Sequence, residues 1–167
     1  MGAYVLLIAA VAVERVAELV VSQRNLAWSR TRGGVEFGAR HYPAMVALHT
    51  GLLAGCLVEA LYRPFVPALG WPMLVVVLAA QGLRWWCIAT LGRQWNTRVV
   101  VIPDAARVTT GPYRFFSHPN YVAVVAEGIA LPLVHTAWVT AVVFTVINAF
   151  VLRTRIGVEN SALARLR

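Results

Sequence analysis

The chain has 167 residues, of which 59% are hydrophobic and only 13% are charged, and its mean hydropathy is +0.67. Soluble domains of this size carry about 25% charged residues, so the excess of apolar side chains predicts one domain embedded in a membrane. This composition excludes a disordered, collagen-like or disulfide-rich secreted chain, and the net charge of +8 comes from arginine without any lysine.

Three apolar segments in the first half of the chain predict membrane-spanning helices, because about 20 mostly apolar residues cross the hydrocarbon core. They are Ala3–Val21, Tyr42–Leu61 and Trp71–Leu91. The first segment carries Glu14, Arg15 and Glu18 on one helical face, which we expect to point into the bundle and to pair structurally rather than relay protons. The second contains Gly51 and Gly55, a spacing that serves close packing within one chain or between the copies of a homo-oligomer.

The second half of the chain combines a long polar segment with a further apolar region. Gly92–Asn120 contains three prolines and is too irregular to cross hydrocarbon. Tyr121–Leu152 is apolar but interrupted by Pro132, so we predict a tight helical hairpin. Its two helices are placed at Asn120–Leu133 and Thr136–Leu152. The charged tail Arg153–Arg167 is predicted to form a short helix outside the core.

The arginines are distributed unevenly over the predicted connections. Twelve of the fifteen fall in residues 22–41, 92–120 and 153–167, which five spans place on one side of the membrane. Because basic loops remain in the cytoplasm, we expect the C-terminus to be cytoplasmic and the protein to lie in a bacterial inner membrane. The positive charge is then explained by topology, and no nucleic-acid partner is predicted.

Together these segments predict an all-α fold, a polytopic membrane helix bundle with about five transmembrane helices and a C-terminal cytoplasmic helix. We expect residues 1–167 to form a single domain, with three N-terminal helices in residues 1–91. Residues 92–167 then supply the long loop, the helical hairpin and the tail. A loop of this length in a small domain is usually functional.

Two segments hold most of the side chains that can carry chemistry. In Gly111–Tyr121 the Gly-Pro pair signals a turn, and Pro119 suits the first position of a helix, which places His118 at the helix entrance. Arg155 and Glu159 are four residues apart and therefore share a helical face. Taken alone, these patterns also fit a helix-capping loop and a solvated ion pair. The sequence contains no glycine-rich phosphate loop and no metal-ligand spacing, so no metal site is predicted.

At these two segments the sequence resembles the isoprenylcysteine carboxyl methyltransferase family of integral membrane enzymes. The resemblance rests on Gly111-Pro112-Tyr113-Arg114, on His118-Pro119-Asn120-Tyr121 and, in the tail, on Arg155-Ile156 followed by Glu159 and Leu163. Further stretches look like a bacterial branch of the family, which is associated with type III polyketide synthases and methylates alkylpyrone or alkylresorcinol hydroxyls. These stretches are Arg40–Pro43, Gln81–Gly92 and Trp95–Arg98.

The resemblance implies S-adenosylmethionine as the methyl donor, bound between the last two helices, the long loop and the tail. It implies a lipophilic small-molecule acceptor that enters from the membrane lipid. The residues expected to bind the donor are Tyr113, His118, Pro119, Asn120, Tyr121 and Glu159. We expect catalytic roles for Arg155, as the cation that keeps an acceptor oxygen ionised, and for Glu159.

Other readings of the same residues remain open. The acceptor can instead be the carboxylate of an isoprenylcysteine or the amine of a phospholipid head group, and a non-enzymatic membrane subunit or permease is a further alternative. The sequence departs from the family pattern at two positions. Ser117 stands where the family usually has a basic residue before His-Pro, and Asn160 replaces the second of two consecutive glutamates. The first departure weakens a contact to a charged donor group, and the second removes a paired acid.

Overall fold

The computed structural model describes residues 1–165 and contains five α-helices and one two-stranded antiparallel sheet. In chain order the elements are α1 (Gly2–Arg30), β1 (Val35–Phe37), α2 (Tyr42–Ala60), α3 (Pro67–Leu91), β2 (Val99–Val101), α4 (Pro119–Leu133) and α5 (Trp138–Arg165). Short turns of 3-10 helix lie at Ala39–His41, Gly92–Gln94 and Gly111–Arg114. The prediction of a helical bundle with five helices is confirmed.

Three helical segments of the described chain are long and apolar enough to cross a membrane, judged by length and composition. They are Ala39–Ala60, Pro67–Gln94 and Trp138–Ala164. Helix α1 has 29 residues, but charged side chains interrupt its apolar sequence. Helix α4 has only 15 residues and packs between α3 and α5. The chain is therefore a polytopic helical membrane protein, as its composition predicts.

One end of the bundle is fastened by hydrogen bonds between helices. The Tyr4 hydroxyl of α1 donates to the Leu131 carbonyl of α4 at 3.0 Å. The Glu59 carboxylate of α2 accepts from the backbone N–H groups of Val139 and Thr140 at 3.1 and 2.8 Å. These N–H groups belong to the first turn of α5, where they have no partner within their own helix. A side chain of α2 thus caps the start of α5.

Small residues allow the helices to approach closely. Gly128 of α4 lies against the buried ring of Phe144 in α5, and a methyl group added at this position would overlap that ring. Gly55 of α2 lies beside Thr140 of α5, so one glycine of the predicted small-residue pair packs within the chain. Apart from its chain neighbours and the backbone of its own helix, no described atom lies within 4 Å of the position that a Cβ on Gly51 would occupy.

A cluster of charged side chains is buried where α1, α3 and α4 meet. Arg15 donates to Glu18 at 2.8 Å and to Glu127 at 3.3 Å. The Arg84 side chain, only 4% exposed, pairs with Glu127 and lies 3.5 Å from Glu18. The charged face of α1 therefore points into the bundle and pairs structurally, as predicted. Pairing with oppositely charged partners is what makes these groups tolerable in an apolar interior.

Helix α1 runs further than its predicted span. It continues to Arg30 because its polar side chains face the segment that follows α3 rather than lipid. The Ser22 hydroxyl donates to the Asn96 side chain at 2.7 Å, and the Asn25 amide donates to the Trp95 carbonyl at 2.7 Å. The sequence placed these polar residues of α1 in a loop. In the structure they hold the start of the long polar segment against α1.

The tail is helical, as predicted, but it continues α5 instead of forming a separate helix. Helix α5 runs from Trp138 to Arg165 without a break at Arg153, where the tail was predicted to begin. Ala162 is only 1% exposed, so the last turns of α5 are packed against the rest of the protein. The change from apolar to charged residues marks a change of surroundings and not a helix end. Arg167, the last residue of the predicted tail, lies outside the described residues.

The two-stranded sheet links distant connections. Strands β1 and β2 are antiparallel, with Glu36 opposite Val100. The sheet joins the connection after α1 to the segment after α3, so both lie at the same end of the bundle. It was absent from the sequence prediction because each strand has only three residues, too few for an alternating pattern to appear.

Candidate functional site

The segment before α4 forms a turn that packs against α3. Gly111 has a φ of +57°, which favours glycine, and a Cβ at this position would approach Oγ1 of Thr90 to 2.6 Å. Pro119 is the first residue of α4, and His118 precedes it as the N-cap residue. This placement confirms the prediction from the Gly-Pro turn and from proline at the first helical position. The close fit on α3 fixes the position of the α4 entrance.

The entrance of α4 meets the second half of α5 through one hydroxyl group. Tyr121 donates to Oε2 of Glu159 at 2.5 Å and accepts from Nε of Arg155 at 2.9 Å. The His118 ring stacks on the Tyr121 ring with centroids 5.3 Å apart, and its Nδ1 lies 3.8 Å from the same Glu159 oxygen. The two sequence segments that resemble the family motifs therefore converge at one end of the bundle.

The guanidinium of Arg155 is held by protein groups from several elements. Besides Tyr121, it donates to the backbone carbonyl of Thr97 and contacts the sulfur of Met45 at the start of α2. Arg155 and Glu159 share a helical face, as predicted, and the Tyr121 hydroxyl bridges them. Arg155 thereby fastens α5 to α2, to α4 and to the segment that precedes β2.

A cavity of about 500 Å³ opens beside this cluster. Its volume falls within the range of about 300–1,000 Å³ that is typical of small-molecule sites. Six predicted site residues line it: Tyr113, His118, Asn120, Tyr121, Arg155 and Glu159. Pro119 does not line the cavity and is buried in the first turn of α4. The structure thus brings six candidate residues around one space, while their individual roles stay predictions.

The polar atoms around the cavity include acceptors and a donor for a ligand. Oδ1 of Asn120 is buried and has no hydrogen-bond partner in the described chain, so it can accept from a ligand. Both contacts of Glu159 use Oε2, which leaves Oε1 as a second acceptor. Burial raises the pKa of the Tyr113 phenol well above its usual value, and the neighbouring Cys87 thiol adds to this rise. Tyr113 is therefore a neutral donor rather than a base.

The opposite wall of the cavity comes from residues that the sequence analysis did not select. The segment around β2 contributes most of this wall, including Asp104 and Arg107. Only the length of the loop pointed to them, because neither residue belongs to a recognisable motif. Of the two departures from the family pattern, Ser117 lines the cavity, whereas Asn160 is exposed on α5 and is not part of the lining.

Fold and site together define a class of protein: a helical membrane protein with a small-ligand cavity at one end of its bundle. The sequence profile of the isoprenylcysteine carboxyl methyltransferase (ICMT) family matches residues 73–165, more than half of the chain. This match includes α4, α5 and the whole segment between α3 and α4. The chain belongs to the isoprenylcysteine carboxyl methyltransferase family and is a membrane methyltransferase.

Two bacterial relatives resemble the chain over nearly its full length. It is 36% identical over 159 residues to the uncharacterized protein YpbQ of Bacillus subtilis (strain 168), with 95% of each chain covered. It is 24% identical over 157 residues to an uncharacterized protein of Haemophilus influenzae, with 91% of this chain and 90% of the relative covered. No solved structure matches the chain. The likeness to YpbQ extends across α1 and α2, beyond the segment that the family profile matches.

Proposed function

We propose that the protein transfers a methyl group from S-adenosylmethionine to an oxygen of a lipophilic acceptor, such as the hydroxyl of an alkylpyrone or alkylresorcinol. The observation that carries this proposal is the convergence of His118, Tyr121, Arg155 and Glu159 beside one cavity at the end of a membrane bundle. Methyltransferases of this family use S-adenosylmethionine, which supplies an electrophilic methyl group on a sulfonium sulfur when bound.

The residues around the cavity fit the polar parts of this donor. Asn120 and Glu159 can accept hydrogen bonds from amino and hydroxyl groups, and Tyr113 can donate one. The aromatic faces of His118 and Tyr121 suit a sulfonium cation. Because Tyr121, Glu159 and His118 already hold one another in place, they can orient a ligand with little further ordering. Pro119 contributes by setting the direction in which α4 leaves the site.

Positive charge at the cavity suits an acidic acceptor. Arg155 lies on the cavity wall with its guanidinium already engaged by protein groups, so its charge acts through space. A neighbouring cation lowers the pKa of an acid by about 1–3 units, which keeps an enolic or phenolic oxygen ionised. An ionised oxygen needs little general-base assistance. Holding the donor methyl group and the acceptor oxygen in line then contributes most of the rate enhancement, because roughly 7–11 kcal/mol of entropic barrier can be avoided in this way.

Donor binding and product identification test the proposal. Calorimetry on the purified protein in nanodiscs is expected to show binding of S-adenosylhomocysteine. Incubation with labelled S-adenosylmethionine and an alkylpyrone is expected to label the pyrone as a methyl ether. We expect His118→Ala and Arg155→Ala to abolish transfer while the helical circular dichroism signal is unchanged. A wild-type protein without any calorimetric signal contradicts an enzymatic role, and a labelled carboxyl ester or phospholipid contradicts the proposed acceptor.

A further inference from the structure

A second, smaller cavity adjoins the one described above. It has a volume of about 20 Å³ and lies between β1, the start of α2 and the second half of α5. This is room for about one water molecule. Three residues line both cavities: Arg98, Val99 and Arg155. A group held in the small cavity would therefore lie directly beside a ligand in the large one.

The lining of the small cavity combines charged and apolar residues. The charged residues are Glu36 and the two arginines. The apolar residues are Phe37, Met45, Val99, Val151 and Val158. Met45 belongs to α2 and Val151 to α5, and both helices are long and apolar enough to cross a membrane. The small cavity therefore has room for one oxygen-sized group beside the arginines, while the rest of a ligand lies in the large cavity.

The two arginines differ in what they already bind. The guanidinium of Arg155 is engaged by a hydroxyl, a carbonyl and a sulfur, whereas Glu36 is the one hydrogen-bond partner of the Arg98 guanidinium in the described chain, at 2.7 Å. Arg98 also lies over the Tyr42 ring, with its guanidinium carbon 4.2 Å from the ring centroid. An arginine that rests on an aromatic ring and holds one carboxylate is a site for a planar anion. The Arg98 side chain is 33% exposed, so a ligand can reach it.

We propose that Arg98 binds the anionic oxygen of the methyl acceptor in the small cavity, and that Glu36 takes this place when no acceptor is bound. The inference rests on the proposed function and assigns the residue that holds the acceptor oxygen. The acceptor oxygen supplies the electron pair of the new carbon–oxygen bond, and the pair of the broken carbon–sulfur bond stays on sulfur. The oxygen loses its proton to water on binding Arg98, so the transfer step itself releases none.

Binding of two related probes tests this subsite without turnover. The probes are a 6-alkyl-4-hydroxy-2-pyrone and its 4-methoxy product, titrated by calorimetry into protein in nanodiscs saturated with S-adenosylhomocysteine. In Arg98→Gln we expect the dissociation constant of the hydroxypyrone to rise about tenfold or more, because a charge-assisted hydrogen bond is lost. The dissociation constant of the methoxy compound should hardly change in the same variant. In Glu36→Gln we expect tighter binding of the hydroxypyrone, because the competing carboxylate is gone.

Arg30→Gln is the matched control. Arg30 lies 3.7 Å from Glu36, but its side chain is 65% exposed and it lines neither cavity. This variant should bind both probes and S-adenosylhomocysteine like the wild type. Three results would each overturn the subsite. They are weaker hydroxypyrone binding in both Arg98→Gln and Glu36→Gln, an equal loss of affinity for both probes in Arg98→Gln, and no hydroxypyrone binding by the wild type saturated with S-adenosylhomocysteine. A wild type that does not bind S-adenosylhomocysteine would overturn the proposed function, and the subsite with it.

Discussion

The hydroxyl of Tyr121 bonds to Glu159 and Arg155 at once, so a single atom sets the spacing of two charged side chains. The four-residue separation of Arg155 and Glu159 alone predicts a direct pair on the helix surface. A phenol from α4 stands between them instead, and this converts a contact within one helix into a contact between two. The uncharged member of the group is therefore the one that joins the α4 entrance to α5.

Replacing Tyr121 by phenylalanine removes this hydroxyl and keeps the ring that stacks on His118. We expect donor affinity and transfer rate to fall by roughly 10–150-fold, because a hydrogen bond to a charged group contributes about 1.5–3 kcal/mol. Calorimetry with S-adenosylhomocysteine and single-turnover transfer measure the two quantities. Phe115→Leu is the control, since Phe115 lies in the same segment but is 69% exposed and does not line the cavity. Wild-type behaviour of Tyr121→Phe contradicts a role for the bridge.

The sequence indicated residues that line the large cavity, but not how they connect. The turn before α4 and the position of Pro119 follow local rules, so neighbouring residues are enough to predict them. The contacts of Arg155 with Thr97 and Met45 join residues 58 and 110 positions apart. Such pairs arise only when helices come together, and no local pattern encodes them.

Among the elements, α1 is attached to α3 and α4 by buried charges. Arg15 and Glu18 come from α1, Arg84 from α3 and Glu127 from α4. The charged face of α1 was visible in the sequence because three charges interrupt an apolar run. The role of Glu127 was not predicted, because a single carboxylate in an apolar helix does not indicate which residues pair with it. Its partners lie 43 and 112 residues away.

Glu127→Gln tests how much these charges contribute to assembly. The substitution keeps the shape of the side chain and leaves two arginines with one fewer carboxylate. We expect the free energy of unfolding to fall by about 3–5 kcal/mol, the range measured when one partner of a buried pair is removed. Denaturant titration of the detergent-solubilised protein, followed by circular dichroism, gives this quantity.

Glu14→Gln serves as the comparison for this variant. Its side chain is 16% exposed at the edge of the cluster, and its carboxylate lies 3.6 Å from Arg15. A partly exposed pair is expected to contribute less than a fully buried one, although the Glu14 carboxylate also accepts from Nε1 of Trp85. Equal destabilisation by Glu14→Gln and Glu127→Gln would contradict a special role for the buried pair.

Element boundaries were harder to predict than element types. Helices α1 and α5 both continue well beyond their apolar segments because hydropathy follows the surroundings of a side chain, whereas helix formation depends on the backbone. Ser22, Asn25 and Ser29 are all less than 9% exposed on α1, which shows that polar residues can be as buried as apolar ones. The partners of Ser22 and Asn25 lie beyond α3 and could not be identified from the sequence of α1 alone.

For the whole molecule, both cavities lie at the end of the bundle where the arginine-rich connections gather. Because basic connections are retained on the cytoplasmic side, we expect this end and the C-terminus to face the cytoplasm of a bacterium. A green fluorescent protein fusion at the C-terminus should fluoresce, and an alkaline phosphatase fusion there should be inactive. Insertion of the phosphatase after Arg63, in the connection between α2 and α3, should give the opposite result. An active C-terminal phosphatase would reverse the assignment.

The small cavity draws most of its lining from residues before position 73, where the family profile begins, while every candidate donor-binding residue lies after it. Glu36, Tyr42 and Met45 belong to this earlier part of the chain. With the acceptor oxygen held as proposed, residues before position 73 lie on the acceptor side and the candidate donor-binding residues lie after it, while Arg98 and Arg155 line both cavities. Substitutions in the first third of the protein are then expected to change the preference for the acceptor with little effect on donor binding.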